Sequence, residues 1–233
     1  MREAAWPQIR DDLSLSYTEV GILLGLPLIV ANLIEIPIAF LGDTGLRKRL
    51  VVIGGAFFAL AVLGMAVAPS FWILLGAFVM FSPASGAFVS LAQASLVDVD
   101  PARGEQNMAR WTFAGSAGIL AGTVAIGLAA SVGMSWRAGF LLASVVAVLG
   151  VVGAARAPIH APQSTEARSG MVSTLVEGVV WAIRSVRRGD VLRWLILLEV
   201  SDLVGDILLG YLALYLVDVG GASSAEAAFG VVV

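Results

Sequence analysis

Three acids share one apolar run: Glu199, Asp202 and Asp206 all fall within Trp194 to Val217. On a helix of about 3.6 residues per turn, Glu199 and Asp206 point within about 20° of each other and Asp202 about 60° away. One wall of that helix is acidic. Carboxyls in such a place can carry protons or bind a cation, and they are expensive to keep ionised. Three charges at a bilayer centre cost about 9 kcal/mol, against about 4 to 8 kcal/mol returned by the run's Leu, Ile and Val residues. Glu199 lies near the start of the run and can snorkel to the interface, whereas Asp202 and Asp206 sit mid-membrane and must be protonated, paired or facing water. Asp202 and Asp206 are the leading candidates for proton or cation binding. A structural hydrogen-bond cluster is the competing reading.

Weaker candidates lie elsewhere. Asn32 and Glu35 stand three apart in the run Val20 to Gly42, on one helix face, with Glu35 about 10 Å from the run's end. They read as solute or proton contacts, or as an interhelical hydrogen bond. Gln93 reads as a helix-packing amide. The phrase Gly115-Ser116-Ala117-Gly118 invites a serine nucleophile, but the single His, His160, lies in a hydrophilic linker, so nothing in the membrane can activate Ser116. With no Cys and one His there is no thiolate and no multi-His metal cluster. No credible catalytic set, cofactor or metal site remains, and the chain reads as a non-enzyme.

The elements that must position these groups follow from composition. Of 233 residues 59% are hydrophobic and only 13% charged, and the mean hydropathy is +0.93; globular domains carry about 25% charged residues. Six runs are long enough to cross a bilayer: Val20 to Gly42, Leu50 to Ala68, Phe71 to Val97, Trp111 to Met134, Ala138 to Ala155 and Trp194 to Val217. They are apolar all round rather than alternating, which selects helices over a barrel. The fold class is therefore an all-α polytopic membrane bundle, with six full spans and, at Ala227 to Val233, the start of a seventh. Close packing is expected along Ala114, Gly118 and Gly122 of the fourth span.

Basic residues fall unevenly. Of 14 Lys and Arg, all but Arg2, Arg10 and Arg137 lie on one side of the spans, which the positive-inside rule makes cytoplasmic. Residues 1–17 then form an outer tail without a signal peptide. The long cytoplasmic connection begins Pro- and Ser-rich and continues, from Val172 to Val186, as an amphipathic surface helix. A net charge of −3 and a pI near 5.1 offer nothing to nucleic acid.

The loop Gly42-Asp43-Thr44-Gly45-Leu46-Arg47-Lys48-Arg49, between two apolar runs, resembles the loop between helices two and three of the major facilitator superfamily, Gly-x-x-x-Asp-Arg-x-Gly-Arg-Arg. Asp43, Arg47 and Lys48 fall in register; Ala39, Thr44 and Leu46 depart from it. Ser16-x-x-x-Val20-Gly21, Trp136-Arg137-x-x-Phe140 and the long linker also fit. The resemblance aligns nearly the whole chain with helices two to seven plus the start of eight. It implies two bundles rocking about a central cavity, with solute bound near the midplane. It also implies a conformational latch at Asp43, Arg47, Lys48 and Arg49, in which the loop Asp meets a helix end of the opposite bundle and the basic residues pair with acids there. The third span lacks the Arg of many proton-coupled members, and the fourth lacks the Gly-Pro motif of antiporters.

The expected organisation is residues 1–155 as most of the N-terminal bundle without its first helix, 156–190 as linker, and 191–233 as the start of a truncated C-terminal bundle. The expected function is secondary active transport of a small solute by alternating access, with proton coupling, in the cytoplasmic membrane of a bacterial cell. The alternative is a half-size scaffold or channel-like module with no transport cycle. The expected partners are the lipid bilayer, the solute, protons and the absent helices of the same transporter.

Overall fold

The computed structural model describes residues 2–43, 45–157, 159, 180, 184 and 187–230. Residues 160–179, including His160, and most of the expected amphipathic helix 172–186 lie outside them, as do residues 231–233. The described chain is helical throughout: α1 (Arg2–Leu13), α2 (Tyr17–Gly42), α3 (Arg47–Val67), α4 (Phe71–Ser85), α5 (Leu91–Val99), α6 (Gly104–Ser131), α7 (Trp136–Arg156), α8 (Gly189–Asp218) and α9 (Ser224–Gly230). Among the described residues, five helical stretches are long and apolar enough to cross a membrane: Tyr17–Gly42, Arg47–Val67, Phe71–Val99, Pro101–Ser131 and Trp136–Arg156. They match the first five expected spans closely, the largest difference being the earlier start of the fourth. The sixth is the 30-residue helix α8.

Local chemistry sets the ends. Ser16 caps α2 with a reciprocal box: its hydroxyl accepts from the Glu19 N–H at 3.2 Å, and Glu19 Oε2 accepts from the Ser16 N–H at 2.8 Å. Ser223 and Glu226 repeat the box at α9. There the Ser223 backbone N–H, then its hydroxyl, holds the Glu226 carboxyl below the usual range. The third span is one helix interrupted: α4 passes into a π turn at Gly86–Ser90 and resumes as α5. Pro83 lies one turn before that break and has no N–H to give the preceding turn.

α4 lies across α2 and α3, and α3 packs along α7. Small residues allow the close approaches. A Cβ on Gly54 of α3 would lie 2.5 Å from Cβ of Ala87 in the π turn, and one on Gly127 of α6 would lie 2.9 Å from the Phe229 ring of α9. Of the expected packing stripe, Ala114 is exposed and Gly118 faces open space, while Gly127 is pressed by Phe229 because α6 meets α9 near its far end.

The reading of residues 1–17 as a tail is also corrected. α1 is a helix whose Ala4, Ala5, Trp6 and Ile9 are fully buried, with Trp6 stacked on Phe78 of α4 at 5.9 Å between ring centroids. Its partners are α8, α9, α6 and α7. Alone, α1 is too short and too polar to signal burial, and its apolar face is supplied with a core only by helices distant in sequence.

Candidate functional site

Two charged clusters lie at opposite ends of the helices, with carboxyls between them. The first belongs to the α2–α3 loop. Arg47, at the start of α3, is 2% exposed although charged, and such a group must be fully bonded. Its Nε donates to the Gly42 carbonyl at 2.6 Å, one Nη donates to Asp43 at 3.0 Å, and the other donates to Asp98 near the end of α5. Lys48 Nζ donates to the Ala157 carbonyl, just past α7, at 3.0 Å. Asp43 and Arg49 are exposed. The acids that Arg47 engages are therefore Asp43 and Asp98, both within the first five spans, where the resemblance led us to expect acids of the opposite bundle. The planar guanidinium reaches both carboxyls at once and ties the loop, α3 and α5 into one unit.

The second cluster is at the other end. Asp218 closes α8, where the helix dipole disfavours a carboxylate. Arg10 of α1 answers it: Nη2 donates to Oδ1 at 2.8 Å and Nη1 to Oδ2, while the Tyr17 hydroxyl also donates to Oδ2. Arg10 Nη1 lies 3.2 Å from the Tyr17 hydroxyl oxygen, and the Tyr17 ring stacks with Tyr211 of α8. The Arg10 guanidinium, then the Tyr17 hydroxyl, holds the Asp218 carboxyl down to about 2, and Asp218 raises Arg10 above its already high ordinary value. Beside this pair, Asp12 accepts from Arg137 Nη2 at 2.8 Å and from Trp136 Nε1 at 3.2 Å. Arg137 also donates to the carbonyls of Ala66 and Ala68 at 3.1 and 2.7 Å, answering groups that the end of α3 leaves unbonded. The result is a belt joining α1, α2, α3, α7 and α8.

Between the ends, Glu35 is half-buried and Asn32 exposed, so the two do not share an environment. The roughly 60° between positions three apart is enough to turn Glu35 toward the π turn and leave Asn32 outside. A Cβ on Gly86 would lie 2.6 Å from Glu35 Oε1. Gln93 joins α5 to α6 through Met108 Sδ at 3.6 Å. The backbone at Glu199, Asp202 and Asp206 is helical, within α8, and their side chains lie outside the described residues. Around them α8 is unpacked: Leu198, Val200, Ser201, Val204 and Leu208 are exposed, whereas Ala213 and Leu214 nearer Asp218 are buried. A groove of about 430 Å³ runs between α2 and α3 over α4, lined by Val30, Ile34, Ile53, Phe57 and Pro83 among others. It offers a polar solute no charge.

The sequence located Asp43, Arg47, Lys48 and Glu35, but not the Arg10, Asp12, Tyr17 and Asp218 belt. One signal was available. Arg10 and Arg137 are two of only three basic residues on the side where positive charge is scarce, which marks them as held there for a contact. Their partners Asp218 and Asp12 lie 208 and 125 residues away, so the sequence gives no means of pairing them.

Comparison with known families gives one match. The family model described as Major Facilitator Superfamily covers residues 4–233. No curated protein and no solved structure matches.

Proposed function

The chain belongs to the major facilitator superfamily, a family of membrane transporters, and on that premise we propose that it is a secondary active transporter moving a small solute by alternating access, with protons as the coupling ion. One observation carries the reading: α8, the first helix of the second bundle, is clamped to the first bundle at one end by a charged pair. Near Asp218 it is held by Arg10 and Tyr17 and buries Ala213 and Leu214. An ion pair that joins two bundles at one mouth is the kind of contact that alternating access makes and breaks.

The positive-inside rule makes the Arg47 end cytoplasmic, so the Arg10–Asp218 end faces out and this state is closed outside. In this reading residues 1–155 form most of one bundle, 156–190 the linker and 191–233 the start of the second. The Arg47–Asp98 unit acts as a rigid cytoplasmic corner against which the second bundle closes, with Asp43, Lys48 and Arg49 exposed to receive it. Asp202 and Asp206 lie within the α8 span as the groups that exchange protons; Glu199 lies nearer the interface. Glu35 and Asn32 are the candidate groups across the pathway. The membrane is the cytoplasmic membrane of a bacterial cell.

The test is reconstitution of the full-length protein in liposomes with an imposed pH gradient and a panel of labelled solutes. Accumulation of one solute that follows the gradient, and its loss in Asp202→Asn or Asp206→Asn with exchange of solute retained, is the expected result. Unchanged proton dependence in both variants removes these residues from the mechanism. Absence of any transport favours the scaffold reading.

A further inference from the structure

Glu35 lies in α2 between Ile34 and Ile38, which line the apolar groove, and among the described residues no ion pair or hydrogen bond reaches its carboxyl. What it lies against is Gly86. A Cβ added to Gly86 would stand 2.6 Å from its Cδ and Oε1 and 2.7 Å from its Cγ, so any side chain at 86 would evict it. Gly86 is also the first residue of the π turn.

These two facts bear on each other. A π turn bonds residue i to i+5, one residue longer than the α pattern on either side, so the change-over leaves the α ladder short of a donor. Pro83, three residues earlier, contributes no N–H either. Where Glu35 reaches the backbone, the Gly86 N–H is already given to the Ser82 and Pro83 carbonyls and is not free for a carboxylate. A protonated carboxyl has an O–H to donate; an ionised one can only accept, and it repels carbonyl oxygens. Cations do not intervene. Helix α4 and the π turn contain no ionisable residue, and the ionisable residues of α3 are Arg47, Lys48 and Arg49 in its first turn. Arg47 is committed to Gly42, Asp43 and Asp98, and Lys48 to Ala157. On α2 itself the other ionisable groups, Tyr17 and Glu19, lie more than four turns away. Asp98 of α5 is bonded to Arg47. Helix α8 meets α2 toward the opposite end, through Tyr211 at Gly21 and Gly210 at Leu24.

We infer that Glu35 binds a proton against the π turn Gly86–Ser90, and that gain and loss of this proton moves α2 relative to α4 and α5. Protonated, Glu35 is clasped by the turn; ionised, it is driven out, and the contact of α2 with the turn, next to the one where Gly54 of α3 meets Ala87, is loosened. As a coupling step this rests on the transport reading. As proton binding it does not.

The test therefore needs no solute. Purified full-length protein in phosphatidylcholine vesicles is titrated with acid and followed by infrared difference spectroscopy in the carboxyl stretch region, the proton being the sole ligand. The wild type is expected to show a band of a non-hydrated carboxylic acid that is lost in Glu35→Gln. In Gly86→Ala it is expected to appear only at tenfold or greater proton activity. Glu35→Asp, which shortens the reach by one methylene, should retain a band with a displaced midpoint and guards against a Gln variant that fails to fold. Identical titrations of wild type and Glu35→Gln overturn the proposal, and a Gly86→Ala titration equal to wild type overturns the clasp. Hydrogen exchange at residues 86–90, corrected for the intrinsic rate, should slow on acidification in the wild type and not in Glu35→Gln; equal behaviour overturns the coupled movement. If the Glu35 band titrates in a protein that moves no solute, the transport reading fails and proton binding at Glu35 stands. If solute moves while the titration is indifferent to Glu35→Gln, proton binding at Glu35 fails and the transport reading stands.

Discussion

Removing the Arg10–Asp218 clamp should open the outer end by a calculable factor. Asp218 receives two hydrogen bonds from Arg10 and one from Tyr17, with the Arg10 side chain 16% and the Asp218 side chain 27% exposed. Exposed ion pairs contribute about 0–1 kcal/mol and hydrogen bonds to charged groups about 1.5–3 kcal/mol. This partly shielded, bidentate pair falls between, at about 2 kcal/mol, or about thirty-fold in the ratio of closed to open. The chain has no native Cys, so a single cysteine at Ser201, exposed on α8, reports entry of an impermeant maleimide from outside. Arg10→Ala and Asp218→Ala should each speed labelling about thirty-fold, and the double variant should be no faster than Asp218→Ala alone. The exchange Arg10→Asp with Asp218→Arg should recover part of the protection. The pH dependence has a definite sign. The carboxyl is held down from 3.8 to about 2, so its contribution is complete above 3.8 and is lost only as pH falls through about 2. Labelling of the wild type should therefore be flat through the neutral range, and the proton step must act elsewhere. Additive effects of the two alanines, or closure that weakens between neutrality and pH 3.8, would refute the reasoning.

Further outcomes follow from the packing. Arg47→Ala leaves Asp98 and the Gly42 carbonyl without their buried partner and should cost about 3–5 kcal/mol, seen as a lower thermal midpoint in detergent; Arg47→Lys should recover little, because one compact ammonium cannot span the three acceptors that Nε and the two Nη reach from a planar fork. Trp6→Ala should cost about 3–5 kcal/mol, whereas Trp6→Phe should stay within about 1 kcal/mol, since the Trp6 indole N–H is buried with no acceptor among the described residues. Gly54→Ala drives a methyl to 2.5 Å from Ala87 and should cost about 1–3 kcal/mol by the same melting assay.

The spans were legible because a bilayer demands long apolar helices wherever the chain crosses it, a constraint each segment meets alone. That is why the helices of the first five spans follow the hydropathy runs. The caps at Ser16 and Ser223 are local in the same way. Arg47 was legible as a candidate because its loop is short and charged between apolar runs, but its partner Asp98 lies 51 residues on, and nothing in the loop marks that pairing.

What composition and periodicity determined by themselves was the class of the molecule: an all-α membrane protein with acids inside its spans. Only the tertiary structure decided that α1 is core rather than tail, that Arg10 reaches Asp218 across 208 residues of chain, and that Glu35 turns from Asn32 toward Gly86. The physical reason is the same for each. Hydropathy and helical period are properties of a segment, whereas the worth of a charge or a glycine in a bundle is set by which other helix comes within about 4 Å of it, and that contact has no signature in the segment itself.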